Sequence, residues 1–220
     1  MQYDETEDSG AGERAGIYRF LASAFFSAPT RESMATVTEM SRMLEVSCPE
    51  NLSPDELQRE FMDLFVVPNP RYVAPYESVY RDRWQLPMVR EADGSRKSIG
   101  RLLMGESTMA VRQCFLEAGV LPQGDLPDHI GNELRLMAHL CDDGNSEKNG
   151  SDRRKNVKTL LCQEHLLKWV ELLTRKVSEN EKYGFYSAVL NLAALFLRSE
   201  VYADVPGSHR FAAEAERAQA

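Results

Sequence analysis

His129 and Glu133 stand four residues apart, a spacing that makes side chains neighbours on a helix and suits two metal ligands or an acid–base pair. A metal centre needs further ligands. His139 does not supply one, because it lies ten residues beyond His129, about 15 Å along a helix axis and well round the cylinder. His165 reaches the pair only through tertiary packing. Neither the His-Glu-x-x-His zinc signature nor the Glu-x-x-His pairs of di-iron bundles occurs. Phosphate-cradling glycine loops and a Gly-x-Ser-x-Gly nucleophile elbow are absent too. A small metal-dependent helical-bundle enzyme using His129 and Glu133 is therefore the alternative functional reading. Asp128 has a simpler role open to it, since a carboxylate in a first helical turn interacts with the free N–H groups by about 0.3–1 kcal/mol. More telling is the conjunction of Tyr76-Glu77-Ser78-Val79-Tyr80 and Trp84 with a second unusual cluster, Leu126-Pro127-Asp128-His129. Aromatic rings beside carboxylates suit recognition of an apolar, cationic peptide through packing and charge-assisted hydrogen bonds.

The elements that must position these residues belong to an ordinary globular chain. Of 220 residues, 43% are apolar and 27% charged, enough for a substantial core and unlike a disordered, collagenous or coiled-coil chain. The 26 Lys plus Arg against 34 Asp plus Glu give a net charge of -8, which argues against nucleic acid and anionic membranes and favours cationic partners. The longest apolar stretch, Ala188 to Leu197, is half of the roughly 20 residues a membrane span needs. The N-terminus opens with Asp4, Glu5, Glu7 and Asp8, the reverse of a secretion signal, so a cytoplasmic location is expected. Cys48, Cys114, Cys141 and Cys162 form no Cys-x-x-Cys pair and read as buried thiols. No metal and no cofactor are expected.

Apolar spacing predicts helices over Glu13–Ser27 and Arg31–Val46. Ser53-Pro54-Asp55-Glu56 is a capping box with proline at the first helical position, and the helix it opens carries Leu57, Phe61, Leu64 and Phe65. Pro68-Asn69-Pro70 stops that helix and begins an aromatic, non-helical connector running to about Gly94. Helical spacing resumes at Ile99, Leu102 and Leu103 and continues to Gly119, a C-terminal cap. A helix following Asp125-Leu126-Pro127-Asp128 buries Ile130, Leu134, Met137 and Cys141. The apolar-free stretch Asp142–Asp152 is expected to be a mobile loop. Cys162, Leu166, Trp169, Leu173 and Val177 line a further helix, and Phe185–Val201, apolar nearly all round, belongs in the middle of a bundle. No convincing β-strand pattern is visible. The fold is expected to be all-α, a bundle of roughly seven to ten helices.

The chain resembles the TorD/DmsD/NarJ family of redox enzyme maturation chaperones. The likeness rests on Pro75-Tyr76-Glu77-Ser78-Val79-Tyr80, on Leu126 to Met137 with its Pro-Asp-His followed by Glu-Leu and Met, and on His165 to Trp169 with Phe185-Tyr186. Where the family usually has a glutamate shortly before Pro-Asp-His, this chain has Asp125. The resemblance implies two lobes, 13–120 and 129–205, joined by a hinge at 121–128, with an acidic N-terminus at 1–12 and a tail at 206–220. It implies a cytoplasmic chaperone that binds the twin-arginine signal of an apo molybdopterin oxidoreductase catalytic subunit and holds it back until cofactor is loaded. The implied peptide-binding residues are Tyr76, Glu77, Ser78, Tyr80, Trp84, Asp128, His129 and Glu133. The expected oligomeric state is a monomer or a lobe-swapped dimer.

Overall fold

The structure, a computed structural model, describes residues 6–90, 96–100, 103–124, 126–142 and 151–203. Nine α-helices occur among them: α1 (Thr6–Ser23), α2 (Arg31–Met43), α3 (Pro54–Phe61), α4 (Glu77–Arg81), α5 (Glu106–Ala118), α6 (Ile130–Cys141), α7 (Ser151–Leu160), α8 (Leu167–Ser178) and α9 (Phe185–Ala203). The all-α bundle expected from apolar spacing is the observed architecture, with one small addition. A two-stranded antiparallel hairpin joins α4 to α5, formed by β1 (Arg83–Arg90) and β2 (Arg96–Gly100). Of the described residues, no helix is long and apolar enough to cross a membrane.

The hairpin corrects two expectations. Ile99 pairs with Trp84 across the ladder and is not helical; α5 begins only at Glu106. At Ile99 and Gly100 the backbone groups pair with Trp84 and Arg83 across the ladder and are not available to a helical turn. The connector after Pro70 likewise contains the short helix α4.

Capping explains where several of the helices begin and end. Ser53 and Glu56 exchange hydrogen bonds as the sequence predicts, and Thr30 forms a similar box with Ser33 at the start of α2. Gly119, at φ 72°, ends α5 in the left-handed conformation that glycine adopts without penalty. The start of α5 is capped from a distance. Its cap residue, Gly105, has no side chain; Asp82, just beyond α4, accepts from Ser107 N (3.0 Å) and from Ser107 Oγ (2.6 Å). A Cβ on Gly105 would overlap Asp82, so glycine is what lets the carboxylate in.

Two π-helical turns interrupt the bundle, Met62–Val66 after α3 and Leu161–Leu166 between α7 and α8. The core is continuous across residues 121–128, because Tyr18 and Leu64 on one side belong to the same buried cluster as Leu134, Trp169 and Tyr186 on the other. Asn132, 1% exposed, fastens that segment to α6: its Oδ1 accepts from Gln123 N, and its Nδ2 donates to the carbonyls of Gln123 and Leu126. The expected mobile loop lies, over 143–150, outside the described residues, as do 1–5 and 204–220.

Replacing Asp82 by Ala should lower stability by about 1–2 kcal/mol through loss of the α5 cap. Urea unfolding checks this: the midpoint should fall without a change of slope, and an unchanged midpoint would mean that Asp82 is not the effective cap.

Candidate functional site

The two sequence blocks singled out for their chemistry are stitched together by the backbone. Glu77 N donates to the Asp128 carbonyl and Ile130 N to the Pro75 carbonyl, each at 2.9 Å, making an antiparallel bridge between Tyr76 and His129. Asp128 then caps across the seam. Its Oδ2 accepts from Ser78 N (3.0 Å) in the first turn of α4, whereas the sequence placed it at the start of the helix that follows it. That position belongs to His129, whose Nδ1 accepts from Gly131 N at 3.1 Å.

The His129 ring is stacked on Phe26 and meets Tyr76 edge-on, with centroids 5.3 Å away in both cases. A Cβ on Gly131 would come within 2.8 Å of the Phe26 ring, so glycine permits this stack. Burial pushes the His129 pKa down to about 4 against the opposing pull of Asp128. The imidazole is neutral at pH 7 and, with Nδ1 accepting, carries its proton on Nε2.

Below this aromatic layer lies a group of buried acids. Glu77 is 0% exposed, its Oε2 2.9 Å from His165 Nδ1 and its Oε1 paired with Arg81 Nη1. Arg81 Nη1 also donates to the Glu164 carbonyl at 2.6 Å. Glu133, on α6, accepts from Trp169 Nε1 at 3.1 Å through Oε2. Glu133 Oε1 and Asp128 Oδ1 are buried without a hydrogen-bond partner. Burial, then the nearby charges of Glu77 and Asp128, raise the Glu133 pKa well above the usual carboxylate range, with Trp169 and Arg81 opposing. Tyr80 closes one side, stacked on Trp169 at 5.6 Å and donating through its hydroxyl to the Ala74 carbonyl at 2.9 Å.

The family described as nitrate reductase delta subunit matches residues 26–175, a span that includes both halves of the seam and every member of the acid group. The chain belongs to this family. Two Vibrio cholerae proteins named chaperone protein TorD are 26% and 23% identical to it, over 66% and 86% of this chain. The aligned segment spans 60% of the first relative's length and 90% of the second's. The Salmonella typhimurium protein named Tat proofreading chaperone DmsD is 28% identical over 76% of this chain and 67% of its own length.

Within this family member, the eight residues singled out in the sequence fall into two layers. Glu77, Ser78, Asp128 and Glu133 are fully buried, whereas Tyr76, Tyr80 and His129 are partly buried. The backbone of Trp84 lies on β1, and its side chain is outside the described residues. His129 and Glu133 do not act as a pair: one caps α6 against Phe26, and the other points inward to Trp169. Among the described residues, no three His, Cys, Asp or Glu side chains are placed to hold a metal ion. Arg81, Trp169, Phe26 and Asn132 were not in the sequence-based set. Arg81 has a local signal as a partner of Glu77, four residues before it, and Trp169 and Asn132 lie within the blocks that carry the resemblance.

The two perturbed groups should give opposite pH dependences. His129, with its folded pKa lowered, is protonated more readily in the unfolded chain, so stability should fall as pH drops from about 6.5 to 4, on the order of 3 kcal/mol in all. A His129→Asn variant keeps a capping side chain and should show a shallower slope over that range in urea unfolding. Glu133, with its folded pKa raised, contributes stability at low pH that is lost as pH rises above the unfolded value near 4.3. Glu133→Gln keeps an acceptor for Trp169, and its stability relative to the parent should increase from pH 5 to pH 9. Parallel pH profiles for parent and variant would exclude either group as the source.

Proposed function

We propose that this chain is a cytoplasmic maturation chaperone that binds the N-terminal twin-arginine signal of a molybdopterin oxidoreductase catalytic subunit. On this reading it protects the apo subunit and assists cofactor insertion before export. Family membership and the chaperone names of the relatives support the class of function. The observation that carries the peptide reading is the seam itself. It gathers the partly exposed rings of Phe26, Tyr76 and His129 directly above buried carboxylates, in a chain of net charge -8.

A twin-arginine signal is basic at one end and apolar beside it. Tyr76, Tyr80, Trp84 and His129 would offer the apolar contact, while Glu77, Ser78, Asp128 and Glu133 fix the lip from below. The buried carboxylates of Glu77 and Asp128 also bias the local field toward cations, and salt screens that field less than it screens exposed charges. No observation favours the metal-enzyme alternative.

Calorimetric titration with a synthetic signal peptide tests the reading. Binding should be one to one and weaker at high salt than at low salt, because a basic peptide approaches an acidic protein through a screened field. Tyr76→Ala should weaken it about tenfold with little change in melting temperature. Asp128→Asn should do the same if the carboxylate attracts an arginine, and should leave affinity unchanged if it only caps α4. Absence of binding by the parent protein at both salt concentrations would overturn the proposal.

A further inference from the structure

We propose that the Glu77 carboxylate and the Glu164 carbonyl form a guanidinium-binding site, and that in the free protein Arg81 fills this site as a stand-in for an arginine side chain of the peptide. The inference rests on the peptide-binding reading above and specifies how that site is kept closed. Arg81 is the last residue of a five-residue helix, and its side chain is 30% exposed, whereas the carboxylate it touches is wholly buried. The guanidinium therefore sits at the mouth of the acid group, where rotation of one side chain can vacate it.

The acid group holds acceptors that no donor fills. Glu133 Oε1 and Asp128 Oδ1 are each buried without a hydrogen-bond partner, and both residues are near enough to influence the cluster electrostatically together with Glu77 and Arg81. A guanidinium carries five N–H donors spread over three nitrogens, whereas an ammonium has three on one. Here Arg81 Nη1 serves both Glu77 Oε1 and the Glu164 carbonyl, His165 holds Glu77 Oε2, and the remaining guanidinium donors are left to face the other acceptors of the group. An uncompensated buried carboxylate is strongly destabilising, so the site needs a resident cation when no ligand is bound. Exchange of one guanidinium for another preserves that balance. It also makes the tethered residue a competitor of the peptide, because a side chain held a few ångströms away acts at high effective concentration.

Chemical complementation tests the site without any peptide. Arg81→Ala should melt at lower temperature than the parent. Millimolar methylguanidinium should raise the melting temperature of the variant and leave the parent unchanged. Methylammonium should give no such rise, and neither ion should help Arg81→Ala/Glu77→Gln. If Arg81→Ala does not fold, Arg81→Lys keeps the charge while losing the guanidinium and should show the same guanidinium-specific rise. No rise in either variant, or an equal rise with methylammonium or in the double variant, would overturn the inference.

The peptide arm tests the competition. Arg81→Ala should bind a twin-arginine peptide about tenfold more tightly than the parent, and a twin-lysine version of the peptide should gain much less. Simple removal of a positive charge would favour both peptides equally, and that result would count against the stand-in. A parent protein that never binds the peptide, beside a variant that responds to methylguanidinium, would sink the peptide reading and leave the guanidinium site standing.

Discussion

Two backbone hydrogen bonds, from Glu77 N to the Asp128 carbonyl and from Ile130 N to the Pro75 carbonyl, set the register on which the centre of this protein depends. Each is worth on the order of 1 kcal/mol net, which alone is modest. Their leverage is geometric. By fixing residues 75–77 against 128–130 they aim Asp128 at the first turn of α4 and carry Glu77 into the core within reach of His165. A shift of one residue along this bridge would turn Glu77 away from His165 and leave both acid and helix end unsatisfied. Buried polar groups tolerate no such slip, because an unmade hydrogen bond in the interior costs about 1–3 kcal/mol. The seam is short, but the groups that depend on it make it specific.

The sequence reveals much of this, and its failures are physically uniform. Local signals translate well: the Ser53 capping box, Gly119 as a terminator, and the apolar stripes of α6, α8 and α9 all appear where spacing places them. Local reasoning also finds both blocks of the site, since an aromatic, acidic connector and a Pro-Asp-His turn are unusual for solvated loops. What it assigns wrongly is the partner. Asp128 caps a helix that precedes it by fifty positions, and Asp82 caps one beyond an intervening hairpin. A cap supplied through space leaves no periodicity to read. The hairpin escapes detection for a related reason, since its pairing supports strands where local spacing suggests the start of a helix.

The acid group also shows why α6 is polar where a core helix is normally apolar. Asn132 and Glu133 are adjacent and both buried, yet they serve different neighbours: Asn132 holds the 121–128 segment, and Glu133 meets Trp169 on α8. Replacing either by an apolar residue would keep the helix packed but would free the segment or the tryptophan ring from its fixed orientation. Polar groups here contribute arrangement more than stability, consistent with the raised pKa of Glu133, which marks a carboxyl whose charge the site does not favour.

The final element of the arrangement is the π-helical turn at Leu161–Leu166. Its defining bond, from Leu167 N to the Cys162 carbonyl, spans five residues where an α-helix spans four. His165 and Leu166, three and four residues after Cys162, share its inward face. In the same turn the Glu164 carbonyl accepts from Arg81. This one turn supplies two contacts, His165 to Oε2 of Glu77 and the Glu164 carbonyl to the guanidinium that pairs with Oε1. Together with Trp169, which donates to Glu133, these contacts join the third sequence block, His165 to Trp169, to the seam made by the first two.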